Sequence, residues 1–368
     1  MISIISKLKY ITLILVSTKA FAGSLNLELR GDLTSTSYND AALAASSANK
    51  NNYIFNLQSL KLDGKGNLNE SISYRLKFIL NKSSVKETKR ESANDWVEMA
   101  YLNNKFSDKL SLTAGKFNSE IGGWEGNTSR IDLYQVSQGF SQINGLRYQT
   151  GIKFIFNFDE DNVISLQASN QEADSTATSG STTKIDQNRS VYGAVYKGKF
   201  IEKSLQPILS YFVSPLSTGN NGNSGSAGTV TATTDTAKNI YSHAGLRYLK
   251  DSWQADLDYG LINKKEVTNS STDEDWSNAV VKVGYKMQEL TPSVKWFSSD
   301  KAVKSSGSAD VKTKYDGVEI LFDYMPVSEQ NLRYHLAYNI ENQKPATGDT
   351  QTTTQLIAGF SLYADILK

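Results

Sequence analysis

No cysteine occurs in the 368 residues, which excludes a disulfide framework and any thiolate metal site. Histidine is nearly absent: His243 and His335 are the only two. Histidine catalysis needs a hydroxyl or carboxylate within hydrogen-bond reach. Ser242 adjoins His243, but neighbouring residues of a strand point to opposite faces. His335 has Arg333 on its own face and no serine nearby. The sequence therefore predicts no catalytic residue, no metal ligand set and no cofactor. Proline is scarce, at positions 207, 215, 292, 326 and 345, so most extended runs keep the N–H groups that a sheet ladder requires. After Ala22 no apolar run approaches the roughly 20 residues of a membrane helix. The formal charge of +1 is near balance, without the basic footprint of a nucleic-acid partner.

The first residues carry an address. Lys7 and Lys9 precede the apolar run Tyr10 to Val16, and Ala20-Phe21-Ala22 stands before Gly23. A positive start, a short apolar stretch and an A-x-A-like site read as a secretory signal peptide over 1–22. Loss of Lys7, Lys9 and Lys19 with it takes the formal charge from +1 to −2. The mature chain, 23–368, is expected to form a single β domain, because no linker of changed composition divides it.

What is abundant is alternation. "GIKFIFNFDEDNVISLQAS", Gly151 to Ser169, places Ile152, Phe154, Phe156 and Phe158 on one face, turns through Asp159 to Asn162, and resumes with Ile164, Leu166 and Ala168. Period two is the signature of a strand, so this is a hairpin. Similar runs fall near 24–36, 52–64, 71–81, 95–106, 110–117, 145–158, 163–169 and 189–199. They continue near 204–213, 239–249, 252–263, 277–287, 290–298, 314–325, 331–340 and 353–366. Sixteen strands are predicted.

The connections alternate in length. Short ones are Ser107-Asp108-Lys109, Asp159 to Asn162, Lys250-Asp251, Gln288-Glu289 and Pro326 to Gln330. Long ones, rich in Ser, Thr, Gly, Asn and Lys, are 38–51, 81–94, 170–188, 214–238, 264–275 and 299–313. "GNNGNSGSAG" at 219–228 belongs to one of them and lacks the strand-to-helix setting of a phosphate cradle. A soluble sandwich has no reason to gather every long loop at one end, whereas an outer-membrane barrel has short periplasmic turns and long external loops. The faces agree. Trp253, Leu257, Tyr259 and Leu261 oppose Gln254, Asp256 and Asp258; Val318, Ile320, Phe322 and Tyr324 oppose Glu319 and Asp323. Tyr53, Trp96, Phe106, Phe200, Tyr248 and Trp276 lie near strand ends, where aromatic girdles meet the membrane interfaces. Phe154 and Phe156 are accordingly assigned to lipid.

The whole mature region thus resembles the Gram-negative outer-membrane porins of the general diffusion type. The most similar stretch is "WVEMAYLNNKFSDKLSLTAGKF", Trp96 to Phe117, a hairpin leading into a long third loop. One departure is the C-terminus: porins usually end on Phe, and this chain ends "LIAGFSLYADILK". The resemblance implies an all-β transmembrane barrel in the cell outer membrane, with lipid and lipopolysaccharide around it and a homotrimeric assembly. It also implies a water-filled channel for ions and small hydrophilic solutes. Sixteen strands leave an aqueous channel where eight leave a filled interior.

Such a channel needs narrowing. The segment from Asn118 to Asn144, "NSEIGGWEGNTSRIDLYQVSQGFSQIN", is the longest candidate. It carries Ile121, Trp124, Ile131, Leu133, Tyr134, Val136 and Phe140, beside Gly122-Gly123. Apolar side chains in a long loop point to packing, either inside the barrel or on neighbouring loops or a second subunit. By resemblance to porins it folds inward, and Glu120, Glu125, Arg130 and Asp132 line the constriction. Lumen-facing parity nominates Arg75, Lys77, Arg147, Lys153, Arg247 and Arg333 as the basic wall. Charged rings of this kind set ion preference. A sugar- or anion-specific channel would show an aromatic track or a basic ladder; neither is clear, although Tyr241 and Tyr315 take lumen positions. A surface barrel without an open pore is the remaining alternative.

Overall fold

Backbone hydrogen bonding leaves an alternating chain one way to bury its N–H and C=O groups in lipid, a sheet closed on itself. The computed structural model describes residues 23–45, 51–81, 96–170, 190–215, 238–265, 272–305, 309–327 and 331–367. Residues 1–22, where the signal peptide is expected, Lys368 and most of the long connections lie outside the described residues. The chain begins with β1 (Gly23–Tyr38), β2 (Asn51–Asn67), β3 (Ile72–Ile79), β4 (Val97–Lys105) and β5 (Leu110–Asn118). It continues with β6 (Tyr148–Asn157), β7 (Val163–Asn170), β8 (Ser190–Lys197), β9 (Leu205–Pro215), β10 (Lys238–Lys250) and β11 (Trp253–Lys265). The last five are β12 (Thr272–Tyr285), β13 (Leu290–Ser305), β14 (Val311–Val327), β15 (Leu332–Lys344) and β16 (Gln351–Leu367). Each pairs antiparallel with the next, and β1 pairs with β16, so the barrel closes.

Register keeps one face outside. Phe154 stands opposite Leu112 on one side and Leu166 on the other, and all three point away from the lumen. Phe154, Leu166, Leu257, Tyr259, Phe322 and Tyr338 are exposed, while the intervening Lys153, Asp256, Asp258, Glu319 and Asn339 are buried. This inversion of a soluble protein is what lipid as solvent selects. The short turns have local causes. Asp159 accepts from the Asp161 N–H at 2.8 Å, and Asp251 and Gln288 take φ of 52° and 51°, the left-handed values that two-residue hairpins need.

Four details differ from the sequence reading. Within the expected loops 264–275 and 299–313, residues 264–265, 272–275, 299–305 and 311–313 are strand, because β11, β12, β13 and β14 extend beyond the apolar band. There cross-strand ion pairs replace apolar contacts: Lys304–Asp275 and Lys301–Glu274, each at 2.5 Å. The expected turn 326–330 begins later, since β14 runs to Val327 with an irregularity after Tyr324. Residues 145–147, expected in strand, form a tight 3-10 turn and its end. Trp276 is not a girdle residue: it is buried inside the barrel, stacked on Tyr315 with centroids 5.9 Å apart.

Candidate functional site: the loop inside the barrel

The segment between β5 and β6 leaves and re-enters the wall at one point, where the Ser119 N–H donates to the Arg147 carbonyl at 2.7 Å. Between them the chain makes two single-turn helices, Trp124–Asn127 and Gln138–Ser141, and the 3-10 turns Arg130–Asp132 and Asn144–Leu146. Nothing this irregular is stable alone; packing holds it. Ile121, Phe140, Ile143 and Leu146 are buried against Val191, Val195, Ile208, Phe212, Tyr241, Ile262 and Trp276. Those wall residues occupy inward positions on β8 to β12, so a sector of the lumen face is apolar and receives the loop. Burying each large side chain contributes about 1.5–3 kcal/mol. Tyr134 packs likewise against Leu321, Ala337 and Ile357.

Polar anchors fix the remaining edges. The Asp258 carboxylate accepts from the backbone N–H groups of Trp124 and Glu125, both at 2.7 Å, and a Cβ on Gly123 would overlap that carboxylate. Gly122, at φ 95°, exchanges two 3.1 Å bonds with Ser210. Glu125 is buried and ion-paired with Lys295 at 3.1 Å; Ser137 donates to the same carboxylate, and Lys295 also donates to the Gln135 carbonyl. Across the lumen, the Arg30 guanidinium donates to the carbonyls of Arg130, Ile131 and Leu133 at 3.2, 3.2 and 2.8 Å. Arg30 is itself aligned by Asp32, whose carboxylate lies 2.9 Å from His335 Nε2. Tyr134 Oη donates to Asp323 at 3.1 Å. The loop therefore bonds to walls on opposite sides of the barrel, and wall residues all round it, Glu28, Asp63, Asp258, Lys295 and Asn339 among them, are buried.

The nominated residues occupy distinct places. Glu120, at the loop's start, adopts φ 60° and sits between Lys197 at 2.8 Å and Lys153 at 3.6 Å. Burial works to raise its carboxyl, but the two ammonium groups outweigh burial and hold it below the usual carboxylate range. Asp132 pairs with Arg333. Arg130 is exposed and donates to Asn144 within the loop at 2.7 Å. On the wall, Arg75 grips Asp63 at 2.9 and 2.7 Å, and Arg247 grips Asp256 at 2.6 and 2.8 Å while lying 4.0 Å over the Trp124 ring. Lys77 pairs with Glu28 at 2.7 Å and Glu98 at 3.4 Å; Lys61 joins the same two at 3.3 and 2.9 Å. Arg147 departs from its assignment. It precedes β6, is buried, and donates to the Thr128 carbonyl at 3.1 Å, so it braces the loop and is not an open wall cation. Sequence reasoning missed Asp258, Lys295 and Arg30 as anchors. All three stand at lumen parity, which was legible; which lumen positions meet the loop was not.

Beneath the loop, toward the short turns, lies a charged chamber of about 400 Å³. A second hollow of about 390 Å³, lined by Ala194, Tyr211 and Tyr259, opens on the lipid face and is separate from the lumen.

A closed sixteen-strand barrel, apolar outside and charged inside, with a loop returned into its lumen, defines an outer-membrane channel protein. Residues 28–360 match the family described as phosphate-selective porin O and P, and the chain belongs to that family: it is a porin of the cell outer membrane, a channel for passive diffusion of ions and small solutes. Three solved structures share the fold. The outer membrane channel DcaP of Acinetobacter baumannii is 14% identical, with a TM-score of 0.63 over 92% of this chain and 96% of that one. The anion-selective porin from Comamonas acidovorans is 8% identical, with a TM-score of 0.62 over 93% and 99%. The trimer form of OmpT from Vibrio cholerae is 14% identical, with a TM-score of 0.58 over 92% and 99%. Comparison with curated proteins finds no match in sequence.

Proposed function

We propose that this porin is a general diffusion channel of weak ion preference, constricted by its third loop. One observation carries the reading: five of the six nominated basic wall side chains stand beside carboxylates. Arg75, Lys77, Lys153, Arg247 and Arg333 each contact a carboxylate, so they do not form the unpaired cationic ladder that a phosphate path requires. Glu120 and Asp132, both partly exposed, face Lys153, Lys197 and Arg333 and create a local transverse field. Glu125 is buried and holds the loop; Arg130 adds a cation on its exposed edge. Anion selectivity is the second reading, favoured by the family description and by the likeness to an anion-selective porin.

The same reading includes export with cleavage after Ala22, an apolar belt in contact with lipid and lipopolysaccharide, and solutes that cross chemically unchanged. A homotrimer is supported by the likeness to a porin solved as a trimer. Reversal potential in a potassium chloride gradient across a planar bilayer tests the proposal. We expect discrete conductance with a reversal potential close to zero. A value near that of a pure anion conductor would instead favour the second reading, and absence of conductance would favour a barrel without a pore.

A further inference from the structure

The chamber beneath the loop is lined by six charged side chains, Glu28, Asp63, Asp132, Arg75, Lys77 and Arg333, with hydroxyls of Ser129, Ser361 and Tyr363 between them. The six charges cancel, but they do not sit at equal depth. The side chains of Asp63 and Glu28 are 1% and 2% exposed, whereas those of Arg75, Arg333 and Asp132 are 28%, 21% and 36% exposed. A solute in the chamber therefore meets two guanidinium faces and one carboxylate. Arg75 commits Nε and Nη2 to Asp63, from a group that carries five N–H donors. Arg333 commits Nη2 to Asp132. Arg75 on β3 and Arg333 on β15 are separated by β2, β1 and β16, so at about 4.8 Å per strand they start about 19 Å apart along the wall. Both side chains nevertheless line the one chamber.

We propose that this chamber is a binding site for small zwitterions of the α-amino acid class, an inference that rests on the channel reading above. The solute carboxylate meets the edge of Arg75 that Asp63 leaves open, where the remaining in-plane N–H donors of Nη1 and Nη2 match two oxygens. The solute ammonium meets Asp132, whose carboxylate has lone pairs beyond the one engaged by Arg333. A multivalent anion such as phosphate fits poorly, because Asp132 faces it directly and Asp63 and Glu28 oppose it from behind. A neutral polyol leaves both charged faces without complement.

The full-length protein, purified as the folded barrel in detergent, is titrated calorimetrically with L-serine, inorganic phosphate and glycerol. Its single-channel current is recorded with the same probes at constant ionic strength. We expect saturable L-serine binding in the millimolar range with partial current block, and at least tenfold weaker binding of phosphate and glycerol. Asp132→Asn and Arg75→Gln should each weaken L-serine binding about tenfold, with block measured against each variant's own unblocked current. Should Arg75→Gln fail to fold, Arg75→Lys keeps the charge but loses the planar fork, and it should weaken binding severalfold. Phosphate binding as tight as L-serine would overturn the zwitterion assignment, and unchanged binding in the variants would overturn the site. Conductance without L-serine binding sinks this inference alone; binding without conductance sinks the channel reading and leaves the site standing.

Discussion

Replacing Asp258 by Asn should release one of the loop's polar anchors. The native carboxylate accepts two consecutive backbone N–H groups at 2.7 Å each, and it is buried. Hydrogen bonds to a buried charged group contribute about 1.5–3 kcal/mol each. Asparagine keeps the shape and one carbonyl acceptor, but its NH₂ faces the second N–H, so one bond is lost and a donor meets a donor. We expect a penalty of about 3 kcal/mol on the docked loop, a shift of about a hundredfold toward detached conformations. The barrel wall is untouched, so the unfolding midpoint should move little. Single-channel recording reads the change directly: Asp258→Asn should show frequent excursions to a larger conductance that the native channel rarely visits. Asp258→Glu, carrying the charge on a longer stem, should fall between the two. Conductance traces of Asp258→Asn indistinguishable from native ones would refute the claim that this carboxylate holds the loop.

Three further outcomes follow from the same geometry. Phe154→Arg should destabilise the barrel in vesicles by about 2–4 kcal/mol if it lies near mid-membrane; Phe154→Leu should cost much less, and equal unfolding midpoints would mean the outer face is wrongly assigned. Lys295→Met should cost about 3–5 kcal/mol by leaving Glu125 buried and unpaired; Glu125→Gln in the same chain should restore most of it, as denaturant titration of the two variants would reveal. Because the Glu120 carboxyl is held below the usual range, its contribution to loop docking is complete above the ordinary Glu value of about 4.3 and is lost as pH falls through its folded value. Ion preference should therefore stay constant from pH 8 to 5 and shift only below that, with Glu120→Gln abolishing the shift.

The barrel was legible because its two signals are strong and local. Residues such as Phe154 and Lys153 declare opposite faces by parity alone, and the lengths of the connections declare the two ends. Legibility stopped where chemistry depends on approach across the lumen. Arg30 and the carbonyl of Leu133 are brought together only by closure of the barrel and inward folding of the loop, and no spacing in the sequence encodes that meeting. Trp276 misled for a related reason: an aromatic near a strand end belongs equally to a girdle or to an internal cluster, and here the parity it shares with the inward Asn278 and Val280 decided its side. Arg147 was read from a strand extended three residues too far. The paired state of the wall cations was also hidden, since Asp63 lies opposite Lys77 in the ladder while Arg75 reaches diagonally to it.

The Arg30 contacts carry a consequence for how the molecule is made. Arg30 belongs to β1, and β1 meets β16 at the closing seam, from Leu25 opposite Leu367 to Tyr38 opposite Thr353. That ladder joins the first strand to the last, so its contacts have the greatest sequence separation among the strand pairs and are the slowest class to form. Closure of the seam is thus a late event, and in the closed barrel the carbonyls gathered by Arg30 hold the first strand from within while β16 holds it along its edge. A nascent barrel stalled before that event would expose both margins at once and would be the species most open to proteases on its way to the membrane.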